Sequence, residues 1–489
     1  MQARNKLFAI SFAEGASVMA AEICGAKLLA PFFGSSLYVW SSVMAITLAG
    51  LASGYFIGGK LSRREAKENT LLYVLILAVC CLCLMPFMTT IFLMTASHLS
   101  LIPAVIISVM FLLFPTMLCM GATSPLIISI LTSEAEQSGE NSGKIYAIST
   151  VGGILATFLC GFYLIPNLGV QFSLICFAIV LALASLFLVF KKKSRSGGLA
   201  LLFMISIAFY GFANSKANRF SIYKSEGILG KLEIRDEPSY GNESVIIRKL
   251  LINNTIQTEM LLESKQSASE YVGLVERNCL YFPKGKALVL GLGGGVVANM
   301  LHQQHYQVTA VEFDERVIEM AKRFFYLNDS VKTVCADARY YINNAKEKYK
   351  LILFDVFKAE EQPSHVITKE SLAKLKTTLD TNGVVLINTH GYLSGKKGLG
   401  TQCMIATLKG AGFDIKICTF SEDEDYRNLL IVASLKSMNV TLNNELYQIM
   451  LTDQQTINTD NTPIMEALNA PANQTFRTIY LNNYILKNY

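Results

Sequence analysis

Ala287-Leu-Val-Leu-Gly-Leu-Gly-Gly-Gly-Val-Val297 decides how the C-terminal half of this chain folds. An apolar strand runs straight into Gly291, Gly293, Gly294 and Gly295, and a helical pattern follows. Glycines let a backbone turn sharply and approach a ligand closely. Such a loop by itself belongs to many nucleotide folds, so the residues after it carry the distinction.

The next strand, Gln307-Val-Thr-Ala-Val-Glu312, ends in an acid about twenty residues on, where a carboxylate can accept from ribose hydroxyls. A third gives Val334-Cys-Ala-Asp-Ala338, whose Asp337 can accept from an adenine amino group. A fourth, Lys350-Leu-Ile-Leu-Phe-Asp355, also ends in an acid, and Gly383-Val-Val-Leu-Ile-Asn388 closes the set. Strand–helix alternation from about residue 286 predicts a parallel sheet, and ligands bind at the carboxyl ends of such strands. A plain α/β core with capping acids accounts for one acid, but less well for the ordered set. A nicotinamide fold accounts for the glycines and Glu312 without requiring Asp337-Ala338 and then Asp355. That succession is the layout of a Rossmann-like class I S-adenosylmethionine fold, in which the last acid faces the sulfonium and the acceptor.

Upstream, Gly230-Lys-Leu-Glu-Ile-Arg235, Ser244-Val-Ile-Ile-Arg248 and Lys249-Leu-Leu-Ile-Asn253 read as a small antiparallel β unit. A helix is expected at about 264–278. The expected domains are 1–220, 221–262 and 263–489.

The N-terminal part is of another kind. The chain has 489 residues, 52% of them hydrophobic and 16% charged, and a mean hydropathy of +0.38. That is too apolar for an ordinary soluble protein. Runs at about 7–31, 37–59, 71–96, 99–131, 145–165 and 169–190 are each long enough to cross ~30 Å of hydrocarbon as a helix. This predicts an all-α, multi-pass membrane domain. Residues 1–220 hold fourteen basic and seven acidic residues, a net of +7, so the basic balance comes from membrane flanks and does not point to nucleic acid. Arg4, Lys6, Lys60, Arg63, Arg64, Lys67 and Lys191-Lys-Lys193 fall in alternate loops, which predicts a cytoplasmic N-terminus and a cytoplasmic 191–196 loop. A seventh run at about 198–213 is marginal for a span. A cofactor made in the cytoplasm argues for a cytoplasmic C-terminal domain.

Within the first run, Glu14 and Lys27 read as snorkelling near the ends, and the deeper Glu22 as a polar site in the membrane. Gly152, Gly153, Ala156 and Gly161 suggest close helix packing. The eleven cysteines form no Cys/His cluster at metal spacing, so free thiols and no metal are expected.

Taken together the residues resemble the spermidine synthase family of aminopropyltransferases, in the bacterial branch fused to a transporter-like membrane domain. The resemblance rests on the strand-end residues, on Gln257 and Tyr271, on Pro363-Ser-His-Val-Ile-Thr-Lys-Glu370, and on Thr459-Asp-Asn-Thr-Pro-Ile-Met-Glu466. In the apolar half it rests on Glu22, Lys27-Leu-Leu-Ala-Pro-Phe-Phe-Gly-Ser-Ser36 and Met120-Gly-Ala-Thr-Ser-Pro125. It implies decarboxylated S-adenosylmethionine or S-adenosylmethionine held by Gly291, Gly293, Gly294, Gly295, Glu312, Asp337 and Ala338. It also implies an amine or polyamine substrate near Gln257 and Tyr271, and Asp355 as the catalytic acid; a homodimer is left open. Four positions depart from the family pattern. Gly293 stands where an Asp is usual, Tyr271-Val-Gly273 replaces Tyr-His-Glu, and Lys358 replaces a second Asp. Three functions therefore stay open: aminopropyl transfer, methyl transfer, and ligand binding by a transporter or sensor without turnover.

Overall fold

The computed structural model describes residues 2–33, 37–96, 101–132, 137–191, 198, 219–227, 229–239, 242–356, 364–446 and 456–480. The chain divides into two units, Met1–Asn218 with Ser225–Lys231, and Arg219–Lys224 with Leu232–Tyr489. Lys358 and nearly all of the 198–213 run lie outside the described residues.

In the first unit, apolar runs with few charges become long helices: α1 Gln2–Phe33, α2 Leu37–Leu61, α3 Lys67–Ala96, α4 Leu101–Leu131, α5 Ser138–Leu159 and α6 Val170–Lys191. α5 runs on through a wide π turn, Cys160–Leu164, and Ile165–Leu168. Among the described residues six helices are long and apolar enough to cross a membrane. α1 packs against α5 and α6, α2 against α4, and α3 against α4 and α6. Ser17, Thr123, Ser173 and Ser185 each donate their hydroxyl to the carbonyl four residues back, so apolar helices carry these polar groups satisfied.

The α1–α5 contact depends on glycine. A Cβ at Gly15 would lie 2.0 Å from the Ser149 carbonyl oxygen, and one at Gly152 would lie 2.3 Å from that of Phe12. The small-residue pattern in α5 thus does mark close packing, but Gly161 has open space beside it. One ionisable residue differs from expectation. Glu14 is only 3% exposed and does not snorkel at a helix end, because the Gly15–Ser149 approach encloses it. Glu22 is half-buried.

The second unit opens with a four-stranded antiparallel sheet in sequential order: β1 Ser221–Ser225, β2 Leu232–Ser239, β3 Asn242–Ile252 and β4 Thr255–Leu261. Two segments read separately from the sequence, 244–248 and 249–253, are one strand, β3. The next helix, α7 Glu270–Cys279, starts later than expected, because residues 262–269 form turns and a bridge.

The α/β layer then alternates: β5 Lys286–Leu290, α8 Val296–Gln303, β6 Gln307–Glu312, α9 Glu315–Phe324, β7 Lys332–Cys335, α10 Ala338–Asn344 and β8 Tyr349–Phe354. After it come α11 Lys369–Thr378, β9 Leu379–His390, α12 Gly395–Gly410, β10 Asp414–Thr419, β11 Asn428–Ser434 and α13 Met465–Tyr480. The sheet order is β10-β11-β9-β8-β5-β6-β7. β7, β6, β5, β8 and β9 are parallel, whereas β11 runs antiparallel to both β9 and β10. The sequence reading closed the sheet at the fifth strand. The hairpin of β10 and β11 extends it beyond.

Both faces of the sheet are covered, as the continuous apolar strands require. Ala287, Val289, Leu351, Leu353, Val384 and Leu386 pack on one side with Val275 of α7 and Leu301 of α8. Leu288, Leu290, Ile352, Phe354, Val385 and Ile387 pack on the other with Leu375 of α11 and Leu408 of α12. Each fully buried Leu or Ile here contributes about 1.5–3 kcal/mol. Between β5 and β8 the chain order reverses direction across the sheet, and this is where α/β sheets open a ligand crevice.

Candidate active site at the ends of β5 and β8

The glycine loop leaves β5 at Gly291, whose N–H donates to the Val311 carbonyl of β6 at 2.8 Å. The Asp355 N–H donates to the Leu290 carbonyl at 2.9 Å, so the ends of three strands are tied together. Gly291 has φ +89°, and a Cβ there would lie 2.2 Å from the Asp355 carbonyl oxygen, so only glycine fits. Gly293 has φ +52°, and a Cβ there would lie 2.6 Å from Thr258 Oγ1. That hydroxyl accepts the Gly294 N–H at 2.8 Å and ties the loop to β4. Gly295, also in the left-handed region, caps α8.

Glu312 ends β6 almost fully buried. Its Oε1 accepts the Phe313 and Asp314 N–H groups at 2.7 and 3.1 Å, and its Oε2 accepts the Leu292 N–H at 3.1 Å. Burial raises its carboxyl above the ordinary range, and the backbone donors pull it back. A carboxylate offers about four lone-pair sites. Three are used here, so the acid is anchored to the loop with one acceptor site left for a hydroxyl.

Asp337 caps α10: its Oδ1 accepts the Tyr340 N–H at 3.0 Å, and its Oδ2 lies 3.3 Å from His365 Nε2. Ala338, buried, opens the helix. Arg339 follows, forking onto both Asp460 carboxylate oxygens and donating to the His365 carbonyl. The Asp460 N–H in turn donates to Glu370 at 3.0 Å. Two segments far apart in the chain, around His365 and around Asp460, thus meet beside Asp337.

Asp355 stands one residue past β8. Tyr271 of α7 donates its hydroxyl to Oδ2 at 2.8 Å, and Asn388 at the end of β9 donates its amide to Oδ1 at 2.9 Å. Asn428 of β11 donates to Asn388 Oδ1 at 2.8 Å, which fixes the orientation of that amide. Burial raises the Asp355 carboxyl, and the bonds from Asn388 and Tyr271 oppose the rise. Burial, reinforced by the Asp355 charge, also raises the Tyr271 phenol well above its usual value. Both donors are neutral, and about two lone-pair sites remain on the carboxylate. The arrangement can hold an N–H-bearing group and stabilise positive charge on it.

The structure brings Tyr271 to Asp355. It places Gln257 elsewhere, next to the glycine loop through its neighbour Thr258, with its amide 3.4 Å from the Thr255 carbonyl. Asn388, Asn428 and Thr258 had no role in the sequence reading. The pairing of Phe354 with Ile387 puts the next residues, Asp355 and Asn388, side by side, so Asn388 had a signal. Asn428 did not, because it lies on a strand that the sequence reading lacked.

Residues 276–444 match the family profile described as spermine/spermidine synthase domain. Over 135 residues the chain is 36% identical to the polyamine aminopropyltransferase of Vibrio vulnificus (strain CMCP6), covering 26% of this chain and 45% of that protein. It is 21% identical over 206 residues to a probable polyamine aminopropyl transferase of Bifidobacterium longum (strain NCC 2705), covering 41% of this chain and 45% of that one. The chain thus spans less than half the length of these relatives. A probable spermidine synthase from Corynebacterium glutamicum ATCC 13032 superposes with a TM-score of 0.37 at 18% identity, over 45% of this chain and 79% of that one. The C-terminal part of the chain carries a spermidine synthase-like domain.

Proposed function

We propose that the second unit transfers an aminopropyl group to a small amine or polyamine, and that the six apolar helices hold it at the cytoplasmic face of a bacterial inner membrane. The observation that carries the transfer reading is the Tyr271–Asp355–Asn388 cluster beside the glycine loop. The residues present fit an adenosyl-sulfonium ligand. The loop leaves no side chain on its inner turn at Gly291, Glu312 keeps one acceptor site, and Asp355 follows at the neighbouring strand end. When bound, decarboxylated S-adenosylmethionine would supply an electrophilic carbon next to its sulfonium.

The chain's own contribution is positional and electrostatic. The backbone of 291–295 turns away to admit the nucleoside, Glu312 holds a ribose hydroxyl, and Asp337 with Ala338 borders the adenine. Asp355 accepts an N–H of the amine and stabilises positive charge growing on that nitrogen. Tyr271 and Asn388 keep the carboxylate aimed. The bilayer reading is supported by the length of the helices and by exposed Leu48, Phe56, Ile154, Leu155, Phe158 and Phe162, apolar side chains that suit a lipid surround.

The test is incubation of the purified full chain with decarboxylated S-adenosylmethionine or S-adenosylmethionine and a panel of amines. The thioether and the extended amine are identified by mass spectrometry. Thioether from the decarboxylated donor, with an amine product heavier by one aminopropyl group, is the expected result. Thioether from S-adenosylmethionine alone would replace this reading with methyl transfer. No thioether from either donor would remove the enzyme.

A further inference from the structure

Glu14 has no role in the chemistry above, yet among the described residues it is the most enclosed acid of the helical unit, 3% exposed. It lies seven residues past Leu7, where the first apolar run begins, about 10 Å along the axis of a ~30 Å hydrocarbon layer. A glutamate side chain is too short to reach water from there. Oε2 accepts the Ser149 hydroxyl of α5 at 3.0 Å. Tyr146, one turn before Ser149, shares that face of α5. Its ring meets Tyr55 of α2 edge to face, centroids 6.2 Å apart and planes at 85°. Tyr55 is six residues before the end of α2 and Tyr146 eight after the start of α5, about 9 and 12 Å inside the helix ends. Hydrogen bonds from Lys67 to Ser129, from Ser129 to Ser62 and from Asn141 to Leu131 hold the end of α2 and the start of α5 on one side of the unit.

Charge is the unbalanced quantity. Among the described residues no Lys or Arg forms an ion pair with Glu14: Lys144 of α5 pairs with Glu140, and Lys6 of α1 lies over the Phe187 ring of α6. An ionised carboxylate with one neutral partner is costly in an apolar interior, so it must carry a proton or face a cation. The groups gathered here are a carboxyl, a serine hydroxyl and two phenols, which together offer acceptor oxygens and ring faces. Calcium needs six or more oxygen ligands, more than this set supplies. An alkylammonium needs a carboxylate for its charge, oxygens for its N–H groups and aromatic faces for cation–π contact, and all three are present.

We propose that Glu14, Ser149, Tyr55 and Tyr146 form an amine site between the enclosed Glu14 and the exposed face of the helical unit that carries Tyr55 and Tyr146, where a protonated alkylamine displaces the proton of Glu14. The exchange balances: the carboxylic acid and the ammonium give a carboxylate–ammonium pair and one proton released to solvent. The inference rests on the bilayer reading of these helices and is independent of the transfer reaction.

The experiment uses the full chain in lipid nanodiscs with Asp355→Asn, which removes the carboxylate read as the amine acceptor of the C-terminal site, and radiolabelled putrescine as the probe. Binding with about one proton released per amine is expected. Glu14→Gln in that background should weaken binding at least tenfold and abolish the proton release. A hydrophobic carbodiimide should label Glu14, and putrescine should protect it. Tyr146→Leu, which leaves the Gly15–Ser149 and Gly152–Phe12 approaches alone, should weaken binding several-fold and guards against a misfolded Glu14 variant. Equal affinity with and without Glu14, no binding by the Asp355→Asn protein, or carbodiimide labelling indifferent to putrescine would each overturn the site. A chain that stays soluble without detergent or lipid would instead remove the bilayer reading, and aminopropyl transfer is scored in its own assay.

Discussion

Tyr271→Phe removes one oxygen atom and tests the candidate active site directly. Phenylalanine keeps the ring of α7 in place, so the packing around Val272, Leu274 and Val275 is unchanged. What disappears is the 2.8 Å bond to Asp355 Oδ2. A hydrogen bond to a charged acceptor contributes about 1.5–3 kcal/mol, which converts to roughly 10- to 150-fold in rate. The loss should fall on kcat/KM for the amine, measured by thioether release at varied amine concentration, while affinity for the adenosyl donor stays within about twofold. There is also a pH consequence. Tyr271 opposes the burial-driven rise of the Asp355 carboxyl. Without it the carboxyl rises further, so the acidic limb of the pH–rate profile moves to higher pH. A variant with unchanged amine kinetics and an unmoved limb would refute the role of Asp355 as the amine acceptor.

Three further outcomes follow from the same geometry. Asp355→Asn should abolish product while raising the melting temperature near neutral pH: the folded carboxyl is held above its unfolded value, so ionising it costs stability once pH exceeds the unfolded value. A lower melting temperature would contradict this. Glu312→Gln leaves a single acceptor oxygen for the N–H groups of Leu292, Phe313 and Asp314, and calorimetry with methylthioadenosine should show affinity lower by about 10- to 150-fold. His390, half-buried near Phe476 of α13, is pushed down to about 4, chiefly by desolvation, with Asn473 opposing. The unfolded chain therefore binds its proton first, and stability falls as pH drops from about 6.5 to about 4, by roughly 3 kcal/mol in total. His390→Asn should flatten that slope in hydrogen-exchange measurements of β9, and an unchanged slope would exclude His390 as its source.

The sequence by itself determined the six apolar helices, the glycine turn and the order of acids at successive strand ends. These follow from local rules: run length against helix rise, φ freedom at glycine, and the period-two march of a strand that delivers its last residue to the sheet edge. Contacts between residues distant in the chain were not available to such rules. Asn428 reaches Asn388 across an antiparallel strand pair, and Thr258 braces a glycine loop 36 residues away. The fate of Glu14 shows the limit most clearly. Spacing from the start of the first run suggested an acid near a helix end, yet its burial depends on how closely α5 approaches α1, and Gly15 and Gly152 set that distance only once the two helices are packed together. Local chemistry is written along the chain, whereas enclosure and partner are pair properties that exist only after the chain has folded.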